Sequence, residues 1–219
     1  MTRTVDPAGW PEADCRTPEH IVERLLDYLH AHHQIASGAT LVDLGCGTGA
    51  IADVLARVYG PGNVTGVDVR PPPGGQAWAH IQADALVWRP QEPVDLVVSN
   101  PPFTLVGFTR GRYNPDFDGV ARFTDAALEM ARVGVCILHR TGWWSEGQDQ
   151  RVAWREELRS RYSTAQLAVG RANFLNTPGK SGDATPYSWL VVMKTAPRPT
   201  IQLDWSPAWR ARRVDGGSA

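Results

Sequence analysis

Short apolar runs and amphipathic stretches alternate along most of the chain. Ile21, Val22, Leu25, Leu26 and Leu29 recur at the spacing that puts them on one face of a helix. Thr17-Pro18 starts that helix: threonine can cap the free N–H groups, and proline is tolerated at the first helical position, where no N–H is needed. The helix fades over His30-Ala31-His32-His33, cations placed where a helix C-terminus favours them. Residues 40–44 read as a strand, 51–59 as a helix closed by Gly60, and 63–67 as a second strand. Pro71-Pro72-Pro73-Gly74-Gly75 forces a loop. Strands follow at 79–82 and 94–99, then a helix at 117–132 with Val120, Phe123, Ala127 and Met130 on one face. Residues 133–138 form a fifth strand, 151–162 a further helix, and 167–169 and 187–193 the last strands. This alternation predicts an α/β fold: a doubly wound, mostly parallel sheet with an antiparallel strand near its C-terminal end.

A chain of 219 residues suits one domain. We place it at 17–195, after an irregular N-terminal arm (1–16) and before a tail (196–219) rich in Pro, Trp and Arg that reads as no element. No apolar run approaches the roughly 18–20 residues of a membrane helix, so no membrane partner is expected. Cys15, Cys46 and Cys136 are odd in number and widely spaced, which argues against disulfides and zinc and suits a reducing, cytoplasmic setting. The three histidines after the first helix lack a Cys or carboxylate at ligand spacing, so no metal is expected either. Net charge is −1 but unevenly spread: residues 1–100 carry 6 Lys+Arg against 12 Asp+Glu, the remainder 16 against 11. Solvated faces produce such a split, and so does a back half that meets a polyanion.

Asp43-Leu44-Gly45-Cys46-Gly47-Thr48-Gly49 joins the first strand to a helix. Glycines let the backbone turn sharply and let a ligand lie against it. The spacing departs from the dinucleotide fingerprint, and no Lys-Ser/Thr pair follows to make a Walker A loop. Asp68 ends the next strand, where a carboxylate can bind both hydroxyls of a ribose, and Asp84 follows the third, where it can receive an adenine amine. Each acid alone also reads as an ordinary turn residue. Together they fall at carboxyl ends of strands, the edge where open α/β sheets bind ligands.

Residues 97–99 run into Asn100-Pro101-Pro102-Phe103. The prolines end the strand and stiffen the turn, aiming the Asn100 side-chain oxygen and the Pro101 carbonyl one way, with the flat face of Phe103 close by. A conjugated NH2 is a poor nucleophile because its lone pair is delocalised. Two rigid acceptors favour a pyramidal nitrogen and so stabilise the transition state of alkylation more than the ground state.

The series Asp-Leu-Gly-Cys-Gly-Thr-Gly, Gly-Val-Asp-Val and Gln-Ala-Asp-Ala resembles the Rossmann-like class I methyltransferases. The resemblance implies S-adenosylmethionine as cofactor, with Gly45, Gly47 and Gly49 against its methionine part. Asp43 would orient its amino group, Asp68 hold the ribose and Asp84 the adenine. Asn-Pro-Pro-Phe in this order resembles the amino-group methyltransferases, which act on adenine in DNA or RNA, guanine in ribosomal RNA or glutamine in proteins. That implies Asn100, Pro101, Pro102 and Phe103 as the catalytic set, with Asn100 also beside the cofactor. Thr17-Pro18 upstream of the glycines resembles the first motif of small DNA adenine methyltransferases, implying that Thr17 touches the cofactor's carboxylate end.

The expected partner is nucleic acid, and DNA first. Arg110 and Arg112, among glycines after the catalytic turn, and Lys180 are candidate substrate contacts, although a solvated surface is the commoner fate of any one cation. Arg140 and Arg171, near predicted strand ends, are open to the same two readings. Trp143-Trp144 either stack on bases or roof the core, and the core is the better reading. Residues 179–185 mimic a phosphate loop but lack its first glycine and precede a strand, which excludes an NTPase. Methylation of RNA or of a protein glutamine, and an inactive cofactor-binding module, remain as alternatives.

Overall fold

The computed structural model describes residues 16–102, 118–145, 149–172 and 185–194, and the backbone of 202–204. The elements follow the alternation of the sequence. α1 (Glu19–His32) precedes β1 (Leu41–Leu44), α2 (Ala50–Tyr59), β2 (Val64–Asp68), β3 (Ala79–Gln82) and β4 (Val94–Ser99). Then come α3 (Gly119–Met130), β5 (Ala131–Arg140), α4 (Thr141–Ser145), α5 (Asp149–Arg161), β6 (Ser163–Arg171), β7 (Pro186–Met193) and β8 (Gln202–Asp204).

The strands form one sheet in the order β3-β2-β1-β4-β5-β7-β6-β8. β3 through β5 pair in parallel, while β7 runs antiparallel between β5 and β6. The predicted doubly wound sheet with an antiparallel strand near its end is therefore what the chain forms. β8 pairs in parallel with β6, so part of the tail beyond residue 195 joins the sheet.

Strand side chains alternate between two buried layers. Leu41, Leu96, Val98, Cys136, Leu138, Trp189 and Val191 pack with the apolar stripes of α1 and α2. Val42, Val97, Val135, Ile137, Leu190 and Val192 pack on the other face with Phe123, Ala127 and Met130 of α3 and Leu158 of α5. The indole of Trp189 donates to the carbonyl of Ile21 at 3.0 Å, which fixes α1 over β7. Gly60, at φ 87°, ends α2 where a side chain would be strained.

Several features differ from the sequence reading. β6 begins at Ser163, four residues early, because polar Thr164 and Gln166 alternate with apolar residues yet are themselves buried. α4 was not anticipated, being too short to show a period. Pro18, not Thr17, is the residue before α1, and no side chain caps that helix. The hydroxyl of Thr17 is used elsewhere.

Candidate functional site

The strands β1, β2, β3 and β4 end along one edge of the sheet, and most of the predicted site residues lie there. The turn after β1 is held by β2: the amides of Gly45 and Cys46 both donate to the carbonyl of Val67, at 2.8 and 3.0 Å. Gly45, Gly47 and Gly49 all adopt positive φ (77°, 56° and 84°), a conformation that L side chains rarely take. A Cβ on Gly49 would stand 2.3 Å from Cζ2 of Trp78, and one on Gly66 would stand 2.4 Å from the same ring. Trp78 thus fills the space under the turn, its indole anchored to Asp53 at 2.8 Å.

Asp43 is 1% exposed. Its Oδ2 accepts from the amide of Ala52 at 3.0 Å, but among the described residues nothing meets its Oδ1. Burial pushes its carboxyl up to about 8, with Asp68 and Asp53 adding repulsion against the relief that Ala52 gives. A buried carboxylate with an unmet oxygen is suited to receiving a cation.

Asp68 is also buried but differently served. Gly47 donates its amide to Oδ2 at 2.8 Å, while the amide and Nε of Arg70 reach Oδ1 at 2.9 and 3.1 Å. Burial works against its charge, yet the Arg70 side chain and these amides outweigh it and hold the carboxyl below its ordinary value. Arg70 escaped the sequence reading; the signal was its position two residues after the acid, from which it folds back. Asp84 is exposed beyond β3, and its Oδ1 accepts from the amide of Leu86 at 2.9 Å, shaping the turn there.

The hydroxyl of Ser99, fully buried, donates to the carbonyl of Leu44 at 2.5 Å and fastens the end of β4 to the end of β1. The next residue, Asn100, donates its side-chain amide to Oγ1 of Thr17 at 3.0 Å. Thr17 and Asn100 therefore meet; Pro101, the next residue, is buried and Pro102 partly so. A cleft of about 350 Å³ opens beside Thr17 between the heads of α1 and α2, bounded also by Arg16, Ala50 and Asp53. Phe103, Arg110, Arg112 and Lys180 lie outside the described residues.

Past this gap the chain resumes at Asp118, which gathers three elements. Its carboxylate caps α3 through the amide of Ala121, accepts the indole N–H of Trp143 on α4, and pairs with Arg151 of α5 at 3.1 Å. Trp143 is 8% exposed with the Arg151 guanidinium over it, and Arg155 and Arg159 lie over Trp144. These tryptophans roof the core, as the sequence reading preferred. His139 beneath them is fully buried, and burial lowers it to about 4, so it is neutral at physiological pH. Among the described residues no cluster of three or more His, Cys, Asp or Glu could hold a metal ion, and no helix is long and apolar enough to cross a membrane.

Residues 13–101 match a family described as a methyltransferase domain. Two trans-aconitate 2-methyltransferases are similar in sequence. That of Streptomyces coelicolor is 30% identical over 80% of this chain, and that of Streptomyces avermitilis 34% identical over 43%. The chain spans 66% and 40% of their respective lengths. Among solved structures, a protein of Listeria monocytogenes assigned to the class I S-adenosylmethionine-dependent methyltransferases superposes with a TM-score of 0.67 at 16% identity, covering 89% of this chain and 66% of that one. The methyltransferase subunit of a type I restriction-modification system from Streptococcus thermophilus gives 0.61 at 17% identity, covering 82% of this chain and 45% of that one.

Proposed function

We infer that this chain, which has the class I S-adenosylmethionine-dependent methyltransferase fold and a methyltransferase domain over residues 13–101, methylates an exocyclic amino nitrogen, and that this nitrogen is N6 of adenine in DNA. The observation that carries the reading is the hydrogen bond from Asn100 to Thr17. An amide whose NH2 faces Thr17 turns its oxygen to the opposite side, so the residue presents an acceptor rather than a donor. With the carbonyl of Pro101, that makes two acceptors for the two hydrogens of an amine. A carboxylate has no hydrogen to offer them.

The residues fit the cofactor. The unmet oxygen of buried Asp43 suits its ammonium group, and the positive φ of Gly45, Gly47 and Gly49 makes the tight turn beside it. Thr17, having accepted one bond, still has a hydroxyl hydrogen to donate to a carboxylate. Asp68 would take the ribose hydroxyls beside Arg70, and Asp84 the adenine. Bound there, S-adenosylmethionine supplies an electrophilic methyl carbon. Asn100 and the Pro101 carbonyl hold the two hydrogens of the amine and draw its lone pair out of conjugation, Phe103 offers a face for the base, and the released proton passes to water. No general base is needed, which accords with His139 being sealed in the core.

DNA is preferred over RNA or a protein glutamine because Thr-Pro, the glycine turn, Asp68, Asp84 and Asn-Pro-Pro-Phe follow one another as in small DNA adenine methyltransferases, and restriction-modification subunits share the fold. The sequence relatives favour a second reading, methyl transfer to a carboxylate of a small acid such as trans-aconitate. Incubation with methyl-labelled cofactor and separate pools of DNA, RNA, protein and trans-aconitate decides between them. Label recovered as N6-methyladenine from DNA is expected. Label found only as a base-labile ester of the small acid would overturn the amino-group reading, and label only in RNA or protein would overturn the choice of DNA.

A further inference from the structure

The ligand-binding edge of the sheet divides by charge about β4. On one side, β1 carries Asp43 near its end, β2 ends in Asp68, and Asp84 follows β3. On the other side, β5 ends in Arg140 and β6 in Arg171. β5 runs parallel to β4, and β6 runs parallel to β5 because both oppose β7. Both arginines therefore stand at the same edge as Asn100. The register places Arg140 opposite Tyr187 and Arg171 opposite Pro186, so they flank the first residues of β7 from either side. Two strand spacings separate them, about 10 Å.

Both side chains are exposed. Elsewhere in the back half, Arg151 and Arg155 are buried against Trp143 and Trp144, and Arg132 pairs with Asp95 at the opposite edge. The acid that brings the chain back to this side, Asp118, is 4% exposed and committed to Arg151. At this edge the first hundred residues contribute Asp43, Asp84 and Asp68, the last paired with Arg70, and the remainder contribute Arg140 and Arg171, on either side of Asn100. The acidic side faces a cofactor rich in hydroxyls and amines. The basic side calls for an anion.

We propose that Arg140 and Arg171 form an anion clamp on the substrate side that holds the phosphates of a nucleic acid next to the nitrogen presented to Asn100. The inference deepens the amino-group reading of the site and rests on it. Arg140 shares the face of Tyr187, which packs toward α1, whereas Arg171, opposite Pro186, leaves on the other face. Two guanidiniums that straddle the rim suit an extended polyanion better than one compact acid. Arginine keeps its charge at every working pH, and its planar fork matches phosphate oxygens.

The test is binding of labelled duplex and single-stranded oligonucleotides to the full chain between about 50 and 200 mM salt, with and without Arg140→Gln and Arg171→Gln. For two phosphate contacts the double variant should lower the slope of log affinity against log salt by about 1.8 on duplex or about 1.4 on single strands. S-adenosylmethionine affinity, measured in parallel, should not change. An unaltered slope overturns the clamp while leaving adenine methylation standing if label still enters DNA. Failure of the parent chain to bind either oligonucleotide overturns it as well. So does a small polycarboxylate that raises the melting temperature of the parent chain but not of the double variant. A reduced slope with no label entering nucleic acid supports the clamp and removes adenine as the methyl acceptor instead.

Discussion

Asn100 and Thr17, 83 positions apart in the chain, are joined by a 3.0 Å hydrogen bond from the asparagine amide to the threonine hydroxyl. On the proposed reading of the site, that bond sets which end of the Asn100 amide is turned toward the substrate amine. Without it the amide can turn over and present a donor where an acceptor is needed. Thr17→Val keeps the shape but removes the acceptor, and should lower kcat about 5–10-fold, the size of one ordinary hydrogen bond. Thr17→Ser should restore it. Asn100→Ala should lower kcat by about 10²–10³, as loss of a transition-state hydrogen-bonding group does elsewhere. Single-turnover rates at saturating cofactor measure both, and a Thr17→Val enzyme with parental kcat would show that the bond does not orient Asn100.

The raised carboxyl of Asp43 makes stability depend on pH. Its folded value of about 8 lies above the roughly 3.9 of an unfolded aspartate. Between those values the folded protein holds the extra proton, so stability should fall as pH rises through that window. Asp43→Asn removes the effect: the melting temperatures should coincide near the lower limit and the variant should be the more stable near the upper, by about 2–4 °C per kcal/mol. Cofactor affinity should drop about 10–100-fold, the worth of a hydrogen bond between charged partners. Calorimetry in buffers of differing ionisation enthalpy should also detect proton release when the parent chain binds S-adenosylmethionine at neutral pH.

Gly49→Ala should unfold the glycine turn locally or displace Trp78. The new Cβ would meet the indole at 2.3 Å, at a φ of 84°. We expect a lower melting temperature, quenching or shift of tryptophan emission, and a cofactor affinity reduced at least tenfold. A Gly49→Ala protein with parental emission and affinity would mean that the ring has room to move.

Asp118 and Arg151 form a buried pair, with side-chain exposures of 2% and 8%. Removing either leaves a buried charge uncompensated, so Asp118→Ala and Arg151→Met should each destabilise the protein by about 3–5 kcal/mol. The double substitution should lose less than the sum, because the lost attraction is counted once. Urea unfolding of the four proteins completes the cycle, and strict additivity would show that the pair is not coupled.

The fold was legible because its strands and helices carry strong, different periods: Ile21 to Leu29 could only face one way on a helix, and Val94 to Ser99 could only be an interior strand. The edge residues were legible because a doubly wound sheet brings strand ends together, so Asp43, Asp68 and Asn100 were placed by topology alone. What stayed hidden depends on contacts between remote segments. Arg70 bends back onto Asp68 with no periodic trace, Thr17 serves Asn100 rather than its own helix, and Trp78 reaches Gly49 and Gly66 from a proline-rich loop. Burial of Thr164 and Gln166 likewise has no local signal, since their polarity argues for a surface.

The place of β7 has a consequence for how the protein is made. The strand lies between β5 and β6 although both precede it in the chain, so until residues 186–193 have been synthesised β5 has a bare edge and β6 has no neighbour linking it to the sheet. A ribosome that stalls before that point releases a half-zipped product with two sticky flanks, the kind of species that chaperones capture and proteases clear. Residues 186–193 therefore decide whether the strands made before them close into one sheet or stay as open edges.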